Sequence, residues 1–358
     1  MHRRDFLHPR RLAKTAADVL GAVQDQPRPR KVAPEIALLR FARQAMATTF
    51  EVFLPFGMPD ALEIASNALD EINRLEDQLT VYHDHSEVSR LNRLAFQAAQ
   101  PVEGRLFALL RRAAELHRQS DGAFDITTGA LTRAWGFYRR RGQLPTPEQL
   151  REARERVGMQ NVVLDADRQS VRYLRPGLEI NLGSIGKGYA LDRAATILRQ
   201  QHGITAGLLH GGSSSIFAIG GPAAGHGWAV GVRHPWTRAR LAILHIRDRA
   251  VGTSAATHQH FDYNGRKLGH ILDPRTGWPA EGIASATAIA STAADADALA
   301  TAFFIRGMEF TRAYCAAHPD TSAVLLADGA DRPIIFGLAP DEIELLPAGP
   351  EPSLSDHS

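Results

Sequence analysis

The sequence predicts an α+β fold, a largely antiparallel sheet flanked by helices. Three observations predict it. Short strand-like segments recur along the chain and are mostly separated by turns, which favours antiparallel neighbours. Helical stripes are few and do not alternate regularly with the strands, which argues against a doubly wound sheet. No internal repeat points to a solenoid or propeller.

Each element has its own signal. Residues 48–54 read as a strand with Phe50, Val52 and Leu54 on one face. Asp60, with Glu63 three residues on, is expected to cap a helix whose stripe is Leu62, Ala65, Leu69, Ile72 and Leu79. A second helix fits 106–117, with Leu106, Leu109, Leu110, Ala113 and Leu116 inward and Asp121-Gly122 as its stop. Strands are expected at 161–164, 170–174 and 178–181, then a helix at 188–199. Further strands fit 206–210, 215–219, 228–232, 241–246 and 285–289. Helices at 295–306 and 310–317 precede last strands at 322–327 and 333–338.

The domain reading is a basic arm or leader at 1–37, one domain at 38–346, and a Pro- and Ser-rich tail at 347–358. Within 358 residues the formal charge is +2, too small to imply nucleic acid, and no aromatic-basic alternation offers a stacking surface. The one cysteine, Cys315, excludes an intrachain disulfide and reads as a buried thiol. Arg3-Arg4-Asp5-Phe6-Leu7 resembles a twin-arginine export signal, but Pro9, Arg10, Arg11, Lys14 and Asp18 interrupt the apolar run that export needs. The expectation is therefore cytoplasmic, with periplasmic or membrane-associated export as the second reading. No segment reaches transmembrane length.

Four segments carry chemistry. In the stretch 270–301, a loop His270-Ile271-Leu272-Asp273 precedes a helix with Asp297 and Thr301 four residues apart. That spacing stacks two oxygens on one helix face, which suits a hard cation. Apolar neighbours such as Leu299 and Phe303 make a buried helix, and a buried Asp needs a partner. Asp295 faces away and reads as a cap. Gly183-Ser184-Ile185-Gly186-Lys187-Gly188 opens a helix after an apparent strand, as an anion site does, although its spacing fits neither the P-loop nor the dinucleotide fingerprint. The bland alternative is a tight turn with a solvated lysine. His210 to Ser215, rich in glycine and serine, reads as a second nest or a plain strand connection. Gly122-Ala123-Phe124-Asp125 offers either a carboxylate for a ring or ribose, or a capping Asp beside a core Phe. His258 and His260 share one side of a strand, but no carboxylate at ligand spacing accompanies them, so they are not read as a zinc site.

Taken in order, these segments resemble the ApbE family of FAD:protein FMN transferases across residues 41–340. The likeness includes Met46-Ala47-Thr48, Leu79 to Tyr82, Ser86 to Asn92, Gly122 to Asp125, Gly186 to Asp192, Gly211-Gly212, Thr253-Ser254, His270 to Gly277 and Ala296 to Thr301. The resemblance implies an ApbE-like fold and transfer of FMN from FAD to a Thr or Ser hydroxyl of an acceptor flavoprotein, with AMP released and Mg2+ required. It places Met46, Tyr82, Ala123, Phe124, Asp125, Lys187, His270 and Ile271 against FAD, and Asp297, Thr301 and the Ser184 carbonyl on the metal. His270, beside Asp273, is our candidate base, because imidazole titrates near neutral pH. Lys187 would offset developing charge.

The chain departs from the family pattern. Asn181, at a flavin-side position, replaces the usual Asp, and Ala255-Ala256-Thr257-His258 lacks the usual Gly and acidic residue. Ser213 follows Gly211-Gly212 in place of Asp or Asn. The segment from Asp125 to Leu131 faintly resembles an acceptor sequence, but Leu131 has no hydroxyl to modify. The alternatives are a Mg-dependent FAD pyrophosphatase giving FMN and AMP, and a non-catalytic FAD-binding protein. Expected partners are FAD and the acceptor, no nucleic acid, with peripheral membrane association as a further expectation.

Overall fold

A computed structural model describes residues 37–139, 142–222, 227–237, 239–255, 260–263 and 266–347. The expected arm, apart from Ala37, and the tail beyond Pro347 lie outside the described residues. So do Thr257 and His258.

The main sheet has eight strands in the order β1-β2-β6-β7-β10-β13-β14-β15, and every neighbouring pair is antiparallel. These are β1 (Leu38–Ala45), β2 (Thr48–Pro55), β6 (Gly207–Gly211), β7 (Ser215–Ile219), β10 (Ala250–Ala255), β13 (Ile283–Ala290), β14 (Ser322–Ala327) and β15 (Ile334–Phe336). The expected α+β fold with a largely antiparallel sheet is what the chain adopts.

Strand alternation divides the core in two. Leu209, Phe217, Ile219, Ala286, Ala288 and Leu325 face the helices. Leu208, Ala218, Val251, Ile289 and Val324 face a second sheet, β8 (Trp228–Arg233), β9 (Arg240–Ile246) and β16 (Ile343–Leu345). Both faces of the main sheet are thus covered, which is why β13 is buried at all eight positions.

The helix layer consists chiefly of α1 (Ala61–Leu79), α2 (Glu87–Leu94), α3 (Gly104–Gln119), α6 (Gly186–His202) and α7 (Ala293–Ala317). Two short helices, α4 (Gly129–Ala134) and α5 (Pro147–Glu155), pack together around Leu131, Trp135 and Ala153. Of the remaining strands, β3 (Gln100–Pro101), β4 (Val162–Asp165) and β5 (Ser170–Tyr173) form a small sheet, and β11 (His260–Tyr263) pairs with β12 (Arg266–Gly269).

Several expectations change. Asp60 precedes α1 but sits in the left-handed region and makes no side-chain cap. Leu62 lies outside the stripe, 69% exposed. The expected strand 178–181 shrinks to one parallel bridge, Glu179 to Thr128. Residues 295–306 and 310–317 form one helix, α7, bent at Gly307 where φ is 72°. Only glycine adopts that backbone cheaply. Asp295 is not the cap of α7. Thr292 is, accepting a hydrogen bond from the Asp295 N–H, while the Asp295 carboxylate grips Arg112 with two bonds of 2.8 and 2.9 Å.

Candidate active site

Three of the segments singled out by sequence meet through Asp297: the lysine turn, the β6–β7 turn and the first turns of α7. The β1–β2 turn is Met46-Ala47, with φ of 49° and 59°. A two-residue hairpin turn needs positive φ, which glycine and asparagine tolerate best, so these residues hold a strained backbone. The Met46 N–H is fixed by Glu76 Oε1 at 2.7 Å. Beside this turn lies the β6–β7 turn, where Gly212 donates to the Thr49 carbonyl at 2.9 Å. A Cβ on Gly212 would stand 2.3 Å from Thr48 Oγ1, so glycine is required there.

The helices α6 and α7 cross here, and two glycines set their depth. A Cβ on Gly188 would lie 2.0 Å from the Ala293 carbonyl oxygen, and one on Gly252 of β10 would lie 2.4 Å from that of Ala296. Such closeness brings α7 backbone onto both α6 and the sheet, and it drives Asp297 into the interior.

The Asp297 carboxylate is buried. Its Oδ2 accepts the Gly188 N–H at 2.8 Å, and its Oδ1 accepts the Ser215 hydroxyl at 2.7 Å. Burial pushes its pKa above the ordinary aspartate range, while Lys187, Ser215 and Gly188 pull it back. A carboxylate has about four lone-pair sites, so two remain for a cation. Thr301 Oγ1, one turn on, stands 3.2 Å from Ser254 Oγ and donates to the Asp297 carbonyl at 3.3 Å. The Ser184 carbonyl lies just before the N-cap Ile185, outside the helical ladder whose first acceptor is the Ile185 carbonyl. Carboxylate, hydroxyl and carbonyl make a hard-oxygen donor set of the kind Mg2+ or Ca2+ takes.

Two neighbours of this centre carry weight that spacing did not assign. Asp192, one turn past Gly188, accepts from the Ala293 and Ala294 N–H groups at 2.7 and 2.9 Å, holding the start of α7. Its carboxyl is pushed up to about 7, first by burial, with the backbone donors opposing. Asn92 accepts from the Ile180 N–H at 2.8 Å and donates to the Ile180 carbonyl at 2.9 Å, aligning the segment that leads into the lysine turn. Both lie in segments that resemble the family, Ser86 to Asn92 and Gly186 to Asp192, which was the available signal.

Asn181 Oδ1 accepts the Gly183 N–H at 2.9 Å, closing the turn before Ser184. An Asp would accept the same bond, so the local geometry survives the departure from the family pattern.

Asp125 behaves differently from a free ligand. Its Oδ1 accepts the Thr127 N–H and hydroxyl at 2.7 and 2.6 Å, and its Oδ2 lies 3.3 Å from both Met159 N and His117 Nδ1. Burial pushes its pKa up, and His117 and Thr127 oppose. Asp125 fastens its loop and caps no helix, while Ala123 and Phe124 are buried, at 1% exposure each. Asp125 borders a cavity of about 850 Å3 lined also by His117, Gly122, Arg154, Arg275 and Trp278.

The remaining residues lie on loops. Tyr82 is 68% exposed, its ring centroid 5.0 Å from that of Tyr138, whose hydroxyl donates to the Val81 carbonyl at 2.7 Å. His270 is half-buried, with its ring 6.4 Å from Phe137. Ile271 is buried, and its carbonyl accepts the Ala280 N–H. Asp273 uses both carboxylate oxygens on Arg275, at 2.7 to 2.9 Å, and its carbonyl accepts the Gly277 N–H. Asp273 therefore shapes the loop that follows His270, and Arg275 has its carboxylate.

The family model described as the ApbE family matches residues 46–326. The FAD:protein FMN transferase of Salmonella typhimurium is 31% identical over 257 residues, covering 70% of this chain and 73% of that protein. The FAD:protein FMN transferase of Treponema pallidum is 32% identical over 279 residues, covering 72% of this chain and 76% of that protein. Among solved structures, the ApbE protein of Thermotoga maritima is similar with a TM-score of 0.75 and 28% identity, covering 84% of this chain and 96% of that one. Pseudomonas stutzeri flavinyl transferase ApbE, apo form, is similar with a TM-score of 0.74 and 25% identity, covering 85% of this chain and 98% of that one. With its match spanning most of the folded chain and both its segment order and its fold in agreement, this protein belongs to the ApbE family.

Proposed function

We propose that this protein transfers FMN from FAD to a Thr or Ser hydroxyl of an acceptor protein, with Mg2+ held at Asp297, Thr301 and the Ser184 carbonyl. The observation that carries the reading is the buried Asp297 carboxylate, held by Gly188 and Ser215 with the Lys187 ammonium near it. A buried anion with lone pairs to spare calls for a cation, and the nearby donors are all hard oxygens. The names of the curated relatives support the substrate assignment.

In the reaction the acceptor oxygen forms a new bond to the FMN phosphorus. The bridging P–O bond breaks, and AMP leaves with the bridging oxygen and its electron pair. A bound magnesium ion supplies Lewis-acid charge neutralisation at the diphosphate. Lys187 would add a point charge there, and the positive end of the α6 dipole would favour the same anion. His270 takes the acceptor hydroxyl proton. Asp273 and Arg275 fix the turn behind it and stand as positioning residues. Phe124 and Ala123, being buried, contribute backbone or packing to the flavin side, and the exposed ring of Tyr82 offers a stacking face. Asn181 closes the turn that leads to Lys187, and Met46, in its strained turn, would contact the flavin.

Incubating the purified protein with FAD, Mg2+ and an acceptor domain tests this. The expected result is covalent flavin fluorescence on the acceptor and one AMP per flavin attached. Free FMN plus AMP without labelled acceptor would mean a pyrophosphatase, and unchanged FAD would mean a binding protein.

A further inference from the structure

A second cluster of metal-binding side chains stands away from Asp297. Asp77 lies in the last turn of α1, and His83 and His85 lie in the loop that joins α1 to α2. One ligand atom from each falls within 4.8 Å of the other two. His83 Nδ1 is 3.9 Å from Asp77 Oδ1, and the two imidazole rings stack with centroids 5.3 Å apart and planes 21° apart. None of the three side chains makes a hydrogen bond to a described residue, so their lone pairs are unspent.

We infer that Asp77, His83 and His85 form a surface site for a borderline transition-metal ion of the zinc class, chemically distinct from the hard-cation site at Asp297. Two imidazoles and one carboxylate favour Zn2+ over Mg2+, which prefers oxygen and gives up its water reluctantly. The ligands are exposed, so small rotations can bring all three onto one ion and leave its remaining positions to water. Sequence alone hides this site, because Asp77 belongs to another element and only the fold brings it to His83 and His85.

The position gives the site a consequence. Tyr82 precedes His83 and is itself exposed. An ion on Asp77, His83 and His85 would tie the loop carrying Tyr82 to the end of α1 and restrict the ring. This second step rests on the flavin reading of Tyr82; the binding step does not.

The test is a calorimetric titration of the untagged full chain with Zn2+, repeated on His83→Ala/His85→Ala and on Asp77→Asn. The exposed positions make folding of these variants a small risk, and circular dichroism checks it. The expected result is a binding event in the parent chain that weakens by about tenfold or more in the double variant, with a zinc-dependent rise in Tm lost alongside it. Equal affinity in parent and double variant, or no uptake by the parent chain, overturns the site. In the transfer assay with excess Mg2+, zinc should shift KM for FAD in the parent chain only. Zinc binding through these residues in a protein that transfers no FMN would leave the metal site standing and remove the proposed function.

Discussion

Asp297 and Tyr82 are both candidate ligand contacts, yet one is enclosed and the other is 68% exposed. Asp297 stands where α6, α7, β7 and β10 converge, and each of its oxygens is held by a partner from a different element. Gly188 and Gly252 allow no Cβ, so the spacing of these elements has almost no slack. Tyr82 stands on the loop between α1 and α2, whose backbone is anchored at Thr80, Val81 and Asp84 by Ser86, Tyr138 and Arg93, while its own ring touches Tyr138 and stays exposed. The difference separates two tasks. Charge neutralisation at a diphosphate needs donors fixed before the substrate arrives, whereas recognition of a flat ring or an acceptor chain needs an exposed aromatic face.

The largest expected effect breaks the enclosed side. Asp297→Ala should lower Mg2+-dependent transfer by about 10²–10³-fold, read as covalent flavin per minute on the acceptor. Retained metal-dependent turnover would remove the assignment. Next, Gly188→Ala should destabilise the fold by about 1–3 kcal/mol, because its Cβ must displace α7 backbone. Urea unfolding measures this, and an unchanged midpoint would mean that the two helices slide freely.

Asp192 gives the same side a pH signature. Burial raises its carboxyl to about 7, so the folded state holds this proton more tightly than the unfolded chain does. Its contribution to stability is present below the ordinary aspartate range and is lost as pH rises toward 7. Asp192→Asn should flatten the fall in unfolding midpoint between about pH 4 and 7. A parallel pH profile in both proteins counts against the enclosed carboxyl.

The smallest effect sharpens the other side. Tyr82→Ala should raise KM for FAD by an amount worth about 0.5–1.5 kcal/mol, with kcat and Tm nearly unchanged, and Tyr82→Phe should retain parent behaviour. A collapse of kcat in the alanine variant would place Tyr82 in the chemistry.

Legibility in the sequence follows the same division. The Asp297–Thr301 pair and the glycine-lysine turn were readable because helix periodicity and chain stiffness act over a few residues. The strand β10 was not, since Ala250-Val251-Gly252-Thr253-Ser254-Ala255 is small and weakly apolar, and its strand state comes from pairing between β7 and β13 with α7 packed close at Gly252. Ser215 read as a connector and became a ligand of Asp297 only through the fold. Asp125 read as either an acceptor for a ring or ribose or a helix cap, and its long-range partners Met159 and His117 come only from the fold. The loop positions Tyr82 and Ile271 were readable only through family resemblance, because no periodicity marks a loop contact, whereas His270 stood out as an imidazole beside Asp273.

A crystal structure with FAD and Mg2+ bound tests the central claim most directly. The ion is expected at about 2.0–2.1 Å from Asp297 carboxylate, Thr301 hydroxyl and Ser184 carbonyl oxygens, with the flavin diphosphate against it and Lys187 alongside. A diphosphate bound away from both α7 and the glycine-lysine turn would contradict it.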